Sequence, residues 1–262
     1  MLYQLSYSRI GFRRCSDPPV CGRPKLAQPL LSANTSGDFL HSAGTCQGFF
    51  PSIAAVNYLA HMAVGHWAGL NAQGKLGNFV GDAVKGRDVE AKWGEEVAVG
   101  IRFHRALDEH SDRHEASRAA RALIRPHCGK WSGVVWDVLA DHVLASEFNQ
   151  LGQGCGDLDA FAAQELQGLA LQIESMPERS WRFYKAMVHH GWLTGYQDGA
   201  VVHAVLDAMS RRRSTAGPVG EGWKAFLAEE HALRECARVL IADMNAWGKG
   251  LDLVSLVHQS VG

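Results

Sequence analysis

The sequence predicts an all-α protein, a single helical domain of about eight helices behind an irregular N-terminal stretch. Three observations predict it. From residue 56 onward apolar residues recur at helical spacing. No segment alternates with period two between hairpin turns, so no sheet is expected. The composition also breaks near residue 55. Residues 1–55 hold five of the eight prolines, three of the six cysteines and only two acids, Asp17 and Asp38. They show no sustained period and read as coil without a fold of its own, with a weak likeness to a transit peptide. Residues 56–262 form the expected helical domain.

The helices follow in order. Residues 56–67 open with a mostly apolar run, and the glycines between 69 and 77 break it. Residues 76–84 form a short apolar segment bounded by Gly81 and Gly86. Residues 89–111 place Val97, Ile101 and Leu107 on one face. Residues 117–124 are rich in Ala and Arg and stop before Pro126. Residues 130–148 carry Val134, Val135, Val138, Leu139 and Leu144 at helix-compatible spacing. Residues 157–174 open with Asp-Leu-Asp and continue in good helix formers. Residues 178–194, 197–212 and 221–247 complete the set. No internal repeat is present.

Composition excludes several classes. With 26 Lys+Arg against 27 Asp+Glu and 47% hydrophobic residues, the chain is neither a disordered acidic protein nor a generally basic nucleic-acid binder. No run of about 18 apolar residues is present, so no membrane-spanning helix is expected. The six cysteines form no C-x-x-C pair, and reduced thiols in a cytoplasmic protein are the economical expectation.

Four constellations carry chemistry. In Gly100-Ile101-Arg102-Phe103-His104-Arg105-Ala106-Leu107-Asp108, His104 and Asp108 stand four apart on one helix face, and Asp112 continues it. An imidazole and carboxylates converging on one stripe suit a divalent cation, and equally an exposed face with i,i+4 pairs. Asp82 follows Gly77-Asn78-Phe79-Val80-Gly81, where glycines permit close approach; a helix-capping Asp is the alternative. Asp137 and Asp141-His142 lie inside an apolar helix, where charges must be paired, bound to metal or turned to solvent. His61 sits on an apolar helix, as a core histidine or as a ligand.

Taken together and in order, these stretches resemble the acyl carrier protein phosphodiesterases. The matching pieces are Asn57-Tyr58-Leu59-Ala60-His61, Gly77-Asn78 with Asp82, His104-Arg105-x-x-Asp108, and Asp141-His142-x-Leu144. Trp192-Leu193-x-x-Tyr196-x-Asp198 and Met209-Ser210-Arg211-Arg212 follow them. The resemblance spans residues 56–262. It implies an HD-domain-like fold and a phosphodiesterase that uses Mn²⁺ or Mg²⁺ to release 4′-phosphopantetheine from holo acyl carrier protein. The expected metal ligands are Asp82, His104, Asp108 and Asp141, with His61 and His142 as further ligands, as partners of the ligands, or as proton donors. Arg105 is expected on the phosphate oxygens. Arg211, Arg212 and Arg213 are expected to dock the acidic carrier protein, with Arg118, Arg121, Arg125 and Lys130 as a weaker basic cluster. The family's chains resemble Met-Asn-Phe-Leu-Ala-His at their start, which places a native start at Val56 and makes residues 1–55 a leader or an over-extended gene start. Two other classes fit the residues: a metal-dependent hydrolase of a small phosphate ester, and a helical interaction protein without catalysis.

Overall fold

A computed structural model describes residues 57–212 and 217–258; the expectation for residues 1–55 lies outside them. The described residues are helical with no strand. Among the described residues nine α-helices have nine or more residues, close to the eight expected, and five are shorter. They are α1 Tyr58–Trp67, α2 Ala72–Val80, α3 Glu90–Trp93, α4 Glu95–Arg113, α5 Glu115–Cys128, α6 Ser132–Ser146 and α7 Phe148–Leu151. After them come α8 Leu158–Ala170, α9 Glu178–His190, α10 Trp192–Gly195, α11 Gly199–Arg212, α12 Gly222–Ala228, α13 Glu230–Gly250 and α14 Leu253–His258.

Two helices are apolar almost all round and lie at the centre. Leu59 to Gly65 of α1 are buried without a break, as are Val134 to Ala145 of α6 apart from Asp137. A helix with no polar face can be stable only inside. The amphipathic helices α4, α5 and α13 lay one face each over this pair, and α2, α11 and α12 complete the cover. Leu233, Ala237, Leu240 and Ile241 give α13 its buried stripe, at spacings of four, three and one.

Several boundaries differ from the sequence expectation, each for a physical reason. Gly74 and Gly77 do not break the chain but lie inside α2. A Cβ at Gly77 would stand 2.1 Å from the Val97 carbonyl oxygen, and one at Gly100 1.9 Å from the Gly74 carbonyl oxygen. The glycines are therefore the contact surface through which α2 and α4 meet backbone to backbone. The expected helix 89–111 is divided at Gly94, whose φ of +78° is left-handed. Helix α5 runs through Pro126 to Cys128: the proline gives up its own backbone bond, but Ile124 and Cys128 on either side of it are buried completely and hold the last turn in place. Gly191, at φ +57°, splits 178–194 into α9 and α10. The expected helix 221–247 is α12 and α13, parted at Glu229.

Candidate metal centre

The centre forms where α1, α2 and α4 meet. His61 is the fourth residue of α1, Asp82 follows α2 on a single 3₁₀ turn (Gly81–Ala83), and His104 and Asp108 share a face of α4. Gly81 leaves room for the His104 ring, since a Cβ there would lie 2.4 Å from its Cγ. Glycines at 77 and 81 therefore set α2 against α4 at the point where His104 projects.

The two imidazoles form the buried floor. His61 and His104 are each 4% exposed, and their ring centroids are 4.3 Å apart. The carboxylates form the mouth: the side chains of Asp82 and Asp108 are 31% and 44% exposed. His61 Nε2 lies 3.1 Å from Asp108 Oδ1, and His104 Nε2 lies 3.4 Å from Asp82 Oδ1 and 3.5 Å from Asp108 Oδ2. Ring and carboxylate atoms of His61, His104 and Asp108 fall within 4.8 Å of one another. Donor atoms about 2.0–2.2 Å from a shared small cation stand about 3–4.4 Å apart, so the spacing suits one.

The polar accounting supports the same reading. Neither Nδ1 nor Nε2 of His104 has a hydrogen-bond partner, although both are buried. A buried imidazole with two unpaired nitrogens is costly unless something else occupies it. A divalent cation accepting the lone pair of Nε2 would remove the share of that cost that belongs to Nε2, the nitrogen facing Asp82 and Asp108, so these residues fit a metal ion.

Electrostatics tie His61 to Asp108. Burial disfavours the His61 imidazolium, yet the hydrogen bond and charge of Asp108 overcome it and raise the ring's pKa to about 9. Burial pushes the Asp108 carboxyl up, but His61 and then His104 hold it below its ordinary value. Burial raises Asp112, and Asp108 adds to it; Arg121 opposes both at 2.8 Å. Asp137 is raised well above the usual carboxylate range by burial and by Asp112, Asp108 and Asp141.

The remaining expected site residues are placed as follows. Asp141 faces the start of α1: its Oδ2 and Oδ1 accept from the Leu59 and Ala60 amides at 3.0 and 2.9 Å. Burial lifts its carboxyl to about 7, against those two amide bonds and His61. It caps the helix that carries His61, which Asn57 (φ +71°, no side-chain cap) leaves uncapped. His142, one residue on, points elsewhere. Its Nδ1 donates to the Tyr196 carbonyl oxygen at 2.7 Å, and its ring meets Trp223 and Phe226 edge-on. Burial lowers its pKa below the ordinary imidazole value, against the bond to Tyr196. Arg105 Nη2 donates to the Val84 carbonyl oxygen at 3.1 Å, just beyond the turn that carries Asp82. It makes no ion pair with Asp108 or Asp112.

Arg211 is exposed, with Asp207 3.6 Å away. The Arg212 side chain and Arg213 lie outside the described residues. Asp198 caps the start of α11 through the Ala200 amide at 2.8 Å, and Ser210 donates to the Gly217 carbonyl oxygen at 3.0 Å. Those two matching stretches thus support the fold around His142 and α11. Asn78, to which the sequence assigns no role beyond its place in the Gly77–Asp82 stretch, bonds His61 twice through its side chain. Its burial inside a glycine-rich helix was the available signal.

Comparison with known proteins follows the same span. The family model described as acyl carrier protein phosphodiesterase matches residues 56–244. A protein of Klebsiella pneumoniae (strain 342) named acyl carrier protein phosphodiesterase is 27% identical over 169 residues, covering 64% of this chain and 85% of its own. One of the same name from Escherichia coli O6:H1 is 27% identical over 178 residues, covering 68% of this chain and 90% of its own. A third, from Salmonella dublin, is 27% identical over 180 residues, covering 69% and 91%. No solved structure matches the chain, and the HD-domain likeness stays an expectation.

Proposed function

The chain belongs to the acyl carrier protein phosphodiesterase family, and from that premise we propose that it hydrolyses the phosphodiester joining 4′-phosphopantetheine to a serine of holo acyl carrier protein. The products are apo carrier protein and free phosphopantetheine. The observation that carries this reading is the buried His61–His104–Asp108 set, in which neither His104 nitrogen is hydrogen-bonded.

His61, His104 and Asp108 would hold a divalent cation, Mn²⁺ or Mg²⁺, with Asp82 at the edge of the set beside His104. Such a cation supplies Lewis acidity, offsetting the charge of the phosphodiester and easing the loss of a proton from water. The protein's own residues do the rest. The histidine floor is shielded, and the carboxylate mouth is the open side from which a phosphodiester reaches the centre. Asp82 and Asp108 at that mouth are placed to orient a water and accept its proton. Arg105 uses one N–H on Val84 and keeps others for non-bridging phosphate oxygens. The exposed Arg211, with Arg212 and Arg213, offers positive charge to an acidic carrier protein. Asp141 and His142 are proposed as supports: the former fixes α1 and the latter fixes the Tyr196 turn.

The test is to incubate the purified protein with holo carrier protein and Mn²⁺ and to read the intact mass of the carrier. The expected result is loss of the phosphopantetheine mass. An unchanged carrier together with rapid hydrolysis of a small phosphodiester would instead favour the phosphohydrolase reading.

A further inference from the structure

Asn78 makes two hydrogen bonds to one residue of a neighbouring helix. Its Nδ2 donates to the His61 carbonyl oxygen at 2.8 Å, and its Oδ1 lies 3.2 Å from His61 Nδ1. The logic of donors and acceptors is closed here. A backbone carbonyl can only accept, so the amide NH₂ must face it. The amide oxygen therefore faces the ring, and it too can only accept, so His61 Nδ1 must carry a hydrogen. A neutral imidazole holds one N–H and one lone pair. Nε2, 3.1 Å from the Asp108 carboxylate, is therefore the nitrogen that can give up its hydrogen and offer a lone pair when a cation takes the place of that proton.

We propose that Asn78 is a positioning residue that holds His61 in its Nδ1–H tautomer and thereby presents Nε2 as the donor atom for the cation. This rests on the metal reading above. Three features support it. Asn78 is 4% exposed, so water does not compete for its amide. Gly65 leaves the space the amide fills, since a Cβ there would lie 3.0 Å from Asn78 Nδ2. The Nδ2 bond to the same residue's backbone also fixes ring and main chain as one unit, so the ring cannot turn without breaking the pair. Outer partners of this kind orient ligand imidazoles and raise their basicity. The Gly77-Asn78-x-x-x-Asp82 block thus reads as three jobs: helix contact, tautomer control and carboxylate delivery.

The experiment uses the full chain, ¹⁵N-labelled at histidine. In the metal-free wild type His61 should carry a hydrogen on Nδ1, with or without one on Nε2 against Asp108. Mn²⁺ affinity, read from the paramagnetic resonance signal of free ion, should fall about 10–100-fold in Asn78→Leu. Asn78→Asp keeps the acceptor and should retain both the Nδ1–H form and an affinity nearer the wild type. An Nε2–H tautomer in the wild type would overturn the proposal, whether or not the variants fold. So would a folded Asn78→Leu that binds Mn²⁺ as the wild type does. A wild type that shows Nδ1–H yet binds no Mn²⁺ would overturn the assignment of Nε2 as a metal donor together with the metal reading, and leave only the tautomer.

Discussion

Asp141 accepts the Leu59 amide hydrogen at 3.0 Å from 82 positions further along the chain, and its second oxygen takes the Ala60 amide. A carboxylate from one central helix thus caps the other, and the capped helix carries His61 two residues later. The fold's two innermost elements and the histidine floor of the candidate centre are fastened at one point.

Asp141→Asn should destabilise the protein by about 1–2 kcal/mol, the usual worth of a helix cap. One amide oxygen remains to accept, but the NH₂ group opposes the other backbone donor. Mn²⁺ affinity should change far less than stability. Chemical denaturation and Mn²⁺ titration on the same variant check both, and a collapse of affinity with unchanged stability would return Asp141 to the ligand set.

His104→Ala should leave a folded protein that no longer binds Mn²⁺ tightly. Removing an imidazole that makes no side-chain hydrogen bond sacrifices none. Calorimetric titration measures the loss, and circular dichroism confirms the fold. In the wild type, saturating Mn²⁺ should raise the melting temperature, by linkage of binding to the folded state; no rise would count against the centre.

The pH dependence has a defined sign. His61 is raised from 6.5 to about 9 in the folded metal-free protein, chiefly against burial by the Asp108 hydrogen bond. Its contribution to stability is fully present below pH 6.5 and is lost as pH rises through about 9. The metal-free melting temperature should therefore fall across that window, and Asp108→Asn should flatten the slope. A cation competes with the Nε2 proton, so Mn²⁺ affinity should rise over the same range.

Gly100→Ala should be among the most damaging single-methyl changes. The new Cβ would lie 1.9 Å from a backbone oxygen, so helices rather than side chains must move. Overpacking of this kind typically costs about 1–3 kcal/mol or more. Gly81→Ala presses on the His104 ring instead, and should weaken Mn²⁺ binding more than it lowers stability. Urea denaturation and Mn²⁺ titration on the pair separate the two effects.

Arg105→Lys should lower turnover by about 10²–10³ if the guanidinium clamps phosphate, since an ammonium lacks the planar fork. Fold and Mn²⁺ affinity should persist, because the bond to Val84 is a single neutral-acceptor contact. Normal turnover in Arg105→Lys and Arg105→Ala would reduce Arg105 to a tether for the Asp82 turn.

Much of the helix order was legible from local pattern. The His104–Asp108 pair was legible too, because i,i+4 spacing on a helix forces a shared face. Asp141 was read toward the metal because its burial in an apolar helix demanded a partner. The structure gives it two amides at the start of α1 as partners, which no local pattern reveals. His142 differs from Asp141 by one residue, and the roughly 100° helical step turns it to Tyr196 instead. Gly74 and Gly77 were read as breakers, since glycine is a poor helix former in isolation. Their contact with α4 outweighs that preference.

The sequence by itself determined the helical class, the position of most helices and the residue types from which a centre could be built, because periodicity and propensity are local properties of the chain. Only the tertiary structure decided which of those residues meet. It joined His61, His104 and Asp108, set Asp82 beside them, and gave Asp141 and Asn78 to the support of α1 and its histidine. The reason is geometric: a helix's sequence states which side is apolar, while the partner of each polar atom depends on which helices cross and how closely their backbones approach.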